Sequence, residues 1–161
     1  KINAVNYYDW PKTLDIVRNI QPNVIFFSDA GPGVRWVGNE RGIAGETNWN
    51  TISTDTLHAG KPGISDILNS GSADGDKWVP AEVDVSIRPG WFYHANEKPK
   101  TVNSLVDLYF KSVGRGAALD LGLAPDTRGL LHEDDVINLK QFGEIISKTF
   151  ATNFAKDAKI Y

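Results

Sequence analysis

Apolar residues recur along the chain with two different periods, and these periods divide it into elements. In "DWPKTLDIVRNIQP" Leu14, Val17 and Ile20 stand at helical spacing; Pro11 suits a first helical position behind Asp9, and Pro22 stops the run. "NVIFFSDA" follows as a short continuous apolar run, the mark of a strand buried on both faces. From Gly31 to about Ala81 the pattern lapses into Gly, Ser, Asn, Thr and Asp. That stretch is far longer than an ordinary connection, and such loops are usually functional or disordered. Trp36, Trp49 and Trp78 within it argue for order. "EVDVSI" at 82–87 alternates like a strand and ends at Arg88-Pro89-Gly90. A helix is predicted from about Val102 to Val113, with Leu105, Leu108, Tyr109 and Val113 on one face. "AALDLGLA" at 117–124 reads as another strand, ended by Pro125. Asp134 or Asp135 can open a last helix, in which Val136, Leu139, Phe142, Ile145 and Ile146 form an apolar stripe. No internal repeat is visible.

Apolar strands alternating with helices predict parallel βαβ units. Chemically capable residues sit just after the strands: Asp29, Arg35 and Glu40 after the first, Arg88 and Trp91 after the second, Asp126 and Arg128 after the third. The carboxyl ends of parallel strands are where α/β folds place active sites. A full (β/α)8 barrel takes about 250 residues. The expected fold class is therefore α/β, either part of a (β/α)8-like barrel with parallel strands or a small open sheet.

Composition narrows the function classes. The 161 residues carry a formal net charge of -3, so no basic stripe is available to neutralise phosphates and a nucleic-acid partner is not expected. No run approaches the roughly 18 apolar residues of a membrane span, and no signal-peptide pattern is visible at the start. The absence of Cys removes disulfide scaffolds and thiolate metal sites. There is no Met, and the chain opens at Lys1, so a processed or cut polypeptide is expected. Five Trp, five Tyr and seven Phe, several of them in Gly- and Pro-rich stretches, fit either packing under long loops or a platform on which sugar C–H faces stack.

The loop "GPGVRWVGNERG" at 31–42 gathers two Arg, one Trp, one Asn and one Glu. Glu40 lies beside Trp36 in sequence, and Glu46 follows six residues on in "GIAGETNW". A glycosidase needs one carboxylic acid to protonate the leaving oxygen and a second carboxylate as nucleophile or base. Partial burial against an indole would raise the acid's pKa. The plainer reading of either Glu is a solvated loop residue paired with a neighbouring Arg. Arg35 and Arg88 can fork onto sugar hydroxyls or onto a carboxylate, although most Arg are surface residues. His58, His94 and His132 are too widely spaced to suggest a metal site, and no cofactor is expected. No G-x-S-x-G elbow is present. "GPGVRWVG" does not match a nucleotide-binding G-x-G-x-x-G, which leaves a phosphate-ester enzyme a weak third reading.

The segments "YDW" (8–10), "QPNVIFFSDAGPGVRWVGNERG" (21–42), Trp49, "EVDVSIRPGWFYH" (82–94) and "LVDLYFKSVGRGAALDLGLAPDTRGLLHEDD" (105–135) together resemble the α-L-fucosidases of glycoside hydrolase family 29. The likeness is strongest to the bacterial branch that removes α-1,3/1,4-linked fucose. It covers nearly the whole chain. The resemblance implies a (β/α)8-like barrel and a retaining mechanism whose Asp nucleophile precedes the segment matching "YDW", so that residue is expected upstream with the rest of the catalytic domain. Residues 1–150 would then be the carboxyl-terminal portion of that domain, and 151–161 a tail leading toward a further element. By the same resemblance Glu40 is the leading acid/base and Glu46 the reserve. Arg35 resembles the family's fucose-contacting Arg, and Trp36 and Trp49 would line the sugar site. Arg88, Trp91 and His94 match a motif near the barrel mouth, with ligand and structural roles both open. Asp120 departs from the family's more apolar run and, inside a barrel strand, would need a buried partner. The implied partner is a fucosylated oligosaccharide or glycoconjugate, met in the periplasm or outside the cell. The non-enzymatic alternative is a fucose- or glycan-binding remnant that lacks the nucleophile.

Overall fold

The first helix forms where its cap and its proline coincide. In the computed structural model α1 spans Trp10–Ile20, Pro11 sits in its first turn, and the Asp9 carboxylate accepts from the Lys12 N–H at 3.1 Å. The structure describes residues 7–53, 57, 61–156 and 158–159; His58 lies outside them. The remaining strands and α-helices among the described residues are β1 (Phe27–Ser28), β2 (Val34–Trp36), β3 (Thr51–Ile52), α2 (Ser65–Ser70), β4 (Lys77–Trp78), β5 (Ala81–Ser86), α3 (Val102–Lys111), β6 (Ala118–Gly122) and α4 (Glu133–Thr149).

Four strands make one sheet in the order β1-β2-β5-β6. β1 pairs with β2 in parallel, and β2 with β5, in a register that sets Arg35 opposite Ala81 and Trp36 opposite Glu82. The predicted strand in "NVIFFSDA" shrinks to two residues, and it is not buried on both faces: Ile25 and Phe27 are exposed. Among the described residues β1 is the end strand of the sheet and pairs with β2 alone, which leaves its other edge uncovered by them. The stretch from Gly31 to Ala81 is ordered by short elements: β2, the antiparallel pair β3–β4, and α2.

The chain divides into two compact units, residues 1–85 with 110–120, and residues 86–109 with 121–161. In the first unit the alternation of β5 puts Val83 on the face of Ala81, where both pack with Val37, Ala44, Ala117 and Leu119. A second cluster joins Ile52, Leu57, Ile64, Leu68 and Val79. Burying each Ile, Leu or Val side chain contributes roughly 1.5–3 kcal/mol, so these clusters hold β5 and the long connection in place.

In the second unit α4 is capped by His132, whose Nδ1 accepts from the Asp134 N–H at 3.2 Å. Its first turn is acidic, which suits the helix dipole. Asp135 there is fully buried and forks onto Arg88 with bonds of 3.0 Å from Nε and 2.9 Å from Nη2. Arg88 Nη1 donates to the Glu97 carbonyl at 2.7 Å, and the guanidinium lies 4.8 Å from the Tyr93 ring centroid. Removing one partner would strand the other charge in the interior. Asp135→Ala should therefore cost about 3–5 kcal/mol of unfolding free energy in urea titrations. A midpoint unchanged by that substitution would contradict the buried pair.

Candidate active site

Strand alternation decides which side chains of "VRW" point where. Arg35, in the middle of β2, is fully buried on the side of the long connection. Its Nε donates to the Leu68 carbonyl at 2.8 Å. Its Nη2 donates to Asn48 Oδ1 at 2.9 Å and the Trp49 carbonyl at 2.8 Å, and its Nη1 donates to the Val79 carbonyl. Burial lowers its pKa to about 10, which still leaves it charged at neutral pH. The expectation that Arg35 contacts fucose meets a guanidinium whose three nitrogens are all turned to the protein's own oxygens. Here it is a strut.

Trp36, the next residue, faces the other way and donates from Nε1 to Asp84 Oδ1 at 2.6 Å. It opens onto a cavity of about 340 Å³ at the strand ends. Phe27 and Asp29 reach this cavity from the end of β1, Trp36 and Glu40 from β2 and the loop after it, Glu82 and Asp84 from β5, and Asp120 from β6. Glu40 is exposed yet lines the cavity. Glu46 does not line it: its side chain is 92% exposed and stands 3.9 Å from Arg115 Nη2. The geometry thus favours Glu40 over Glu46 as a carboxyl able to meet a ligand. Trp49, half exposed, is not among the cavity's walls either; its carbonyl, not its indole, is engaged by Arg35.

Glu82, Asp84 and Asp120 complete the site, and the first two were not singled out from the sequence. A signal was available, since "EVDVSI" places Glu82, Asp84 and Ser86 on the face opposite Val83, Val85 and Ile87. Asp120 does not find the buried partner expected for it; it is exposed and borders the cavity. Glu82 is 9% exposed, and its Oε2 has no hydrogen-bond partner among the described residues. Burial first, then the neighbouring Asp84 and Asp120 carboxylates, push its pKa up to about 7. Among the described residues no group of three or more His, Asp or Glu is placed to hold a metal ion.

The other candidates lie in the second unit. Arg88 is committed to Asp135 and Glu97, as described above. Trp91 packs on β6, where a Cβ added to Gly122 would come within 2.7 Å of the indole ring. His94 is largely exposed, with Nδ1 3.4 Å from Glu97 Oε2.

A carboxyl held above its ordinary value of 4.5 makes stability fall as pH rises. Below about 4.5 both folded and unfolded chains are protonated; between there and about 7 only the folded chain keeps its proton, so alkali favours unfolding. Glu82→Gln cannot ionise and escapes this loss. Its stability advantage over the parent should widen between pH about 4.5 and about 7 and then level, as read by urea unfolding across that range. A difference independent of pH would contradict the raised value.

No family model matches the chain. It is 41% identical over 153 residues to Alpha-L-fucosidase 1 of Arabidopsis thaliana, a match covering 94% of this chain and 30% of that protein. A glycoside hydrolase 29 family member from an unknown rumen bacterium shares 39% identity at a TM-score of 0.86, over 99% of this chain and 28% of that one. A GH29 fucosidase of Ruminococcus gnavus, solved in complex with fucose, shares 32% identity at a TM-score of 0.75, over 92% of this chain and 32% of that one. The chain spans under a third of the length of the curated relatives it matches. Its parallel sheet and intervening helices are part of a (β/α)8-like barrel.

Proposed function

We propose that the chain is a segment of a glycoside hydrolase family 29 enzyme, like the relatives it matches, and that it supplies the acid/base side of a catalytic domain that removes terminal α-L-fucose from glycans with retention of configuration. The observation that carries this reading is the placement of Glu40 at the strand-end cavity, beside an indole fixed by Asp84. The fucose complex of the Ruminococcus gnavus relative supports the sugar. The linkage is α-1,3 or α-1,4, and the substrate is a fucosylated oligosaccharide or glycoconjugate met in the periplasm or outside the cell.

The mechanism is double displacement. An Asp in the remainder of the catalytic domain, outside these 161 residues, attacks the anomeric carbon while Glu40 gives its proton to the departing glycosidic oxygen. Glu40, now a carboxylate, takes a proton from the water that releases fucose. Trp36 offers an apolar face to the sugar ring. Arg35 acts from behind, holding β2 so that the loop after it presents Glu40.

Acid/base assistance is worth about 10²–10⁴ in rate, most of it for poor leaving groups. Glu40→Ala in the intact enzyme should therefore lower kcat/KM on a natural fucosylated glycan by about that factor and on an activated aryl fucoside by much less. Undiminished turnover of the glycan by Glu40→Ala would remove Glu40 from this role, with Glu46→Ala as the comparison.

A further inference from the structure

The polar face of β5 holds a group that the proton transfers above do not use. Glu82 is nine-tenths buried, with its Oε2 unpartnered, and it lines the same cavity as Glu40. Its register neighbour across the strand pair is Trp36, whose indole pins the adjacent Asp84 at 2.6 Å. Buried polar atoms are almost always hydrogen-bonded, so one left open at a cavity wall marks where a ligand atom completes the set. We propose that Glu82 is a further substrate-contacting residue, its Oε2 hydrogen-bonding a hydroxyl of the sugar in the cavity while Asp84, fixed by Trp36, accepts from a second. This rests on the fucosidase reading and names a contact within that same site.

The chemistry favours a neutral polyhydroxyl over a cation. The described carboxylates form no metal-holding group. The groups facing Glu82 are acidic: Asp84 on its own strand and Asp120 on β6 both raise its pKa, and Asp29 and Glu40 border the cavity from the ends of β1 and β2. With its pKa pushed up to about 7, Glu82 keeps a proton through mildly acid pH. It can then donate to a hydroxyl oxygen while an Asp84 oxygen accepts a hydrogen bond from a second hydroxyl. A sugar hydroxyl is donor and acceptor at once, so adjacent hydroxyls satisfy both carboxyls. Above pH about 7 Glu82 ionises and loses its donor.

The test is titration of the intact enzyme with L-fucose, followed by calorimetry at pH about 6 and about 8.5, alongside turnover of an aryl α-L-fucoside. Parent affinity should fall on going to the higher pH. Glu82→Gln, which keeps a neutral donor and cannot ionise, should bind at least as well as the parent at the higher pH and lose the pH dependence. Glu82→Ala should weaken binding by about tenfold at the lower pH, the scale of one lost hydrogen bond with its partner left bare. A parent that turns over the fucoside while Glu82→Ala binds fucose within twofold, or a Gln variant that keeps the parent's pH dependence, overturns the Glu82 contact and leaves the fucosidase reading standing. A parent that neither binds fucose nor cleaves the fucoside overturns both.

Discussion

One guanidinium organises the long connection between β2 and β5. Arg35 ties together the carbonyls of Leu68, Trp49 and Val79 and the side chain of Asn48, drawn from the loop before β3, from α2 and from the segment after β4. Without it those buried acceptors would lose their donors, at about 1–3 kcal/mol each. A lysine could not replace the fork, because a point charge cannot address oxygens spread around a plane. The close fit reaches Gly71, where an added Cβ would lie 2.0 Å from the Trp49 carbonyl oxygen and 3.0 Å from Arg35 Nη2. A strand residue so firmly anchored on one side fixes its neighbour on the other. Trp36 is thereby turned to the cavity, and the loop that follows carries Glu40 to the same opening.

The site so framed is acidic, with an apolar wall. Asp84 is held by the indole, Glu82 is lifted by burial and by its acidic neighbours, and Glu40 stands at the rim. Carboxyls crowded in this way do not all ionise together, and the most buried one keeps its proton longest. A neutral sugar suits this arrangement better than an anion, which the carboxyls would repel. On the proposed reading the two kinds of wall divide the work: aromatic surface for sugar C–H faces, carboxyls for hydroxyls and for the proton given to the leaving group.

Elements built on strong local periodicity were legible in the sequence. β5, β6, α3 and α4 lie close to where alternation or helical spacing put them, and α1 begins at its Asp-Pro signal. β2 was not legible as a strand. It is three residues long inside a Gly-rich stretch, and its stability comes from strand neighbours and from Arg35, neither of which a local window contains. "NVIFFSDA" misled for the opposite reason, since an apolar run states a capacity for burial and not whether anything covers it. Among the residues that line the cavity, Glu40 and Trp36 stood out in their loop as candidates. Arg35 could be noticed there but not assigned, because a fork to a ligand and a fork to backbone carbonyls look alike in sequence. Glu82 and Asp84 were hidden in an alternating strand, where polar positions are read by default as the solvent face; the register that turns them toward Trp36 is a tertiary fact.

The role proposed for Glu40 has a direct stereochemical readout. In a retaining enzyme stripped of its acid/base, azide attacks the glycosyl-enzyme from the face the catalytic water would use, so the product keeps the substrate's configuration. Glu40→Ala in the intact enzyme, given an activated aryl α-L-fucoside and azide, should recover turnover and yield α-L-fucosyl azide. Formation of the β-azide, or no azide product from a variant whose hydrolysis of that fucoside stays impaired, would contradict the assignment of Glu40 as the proton donor.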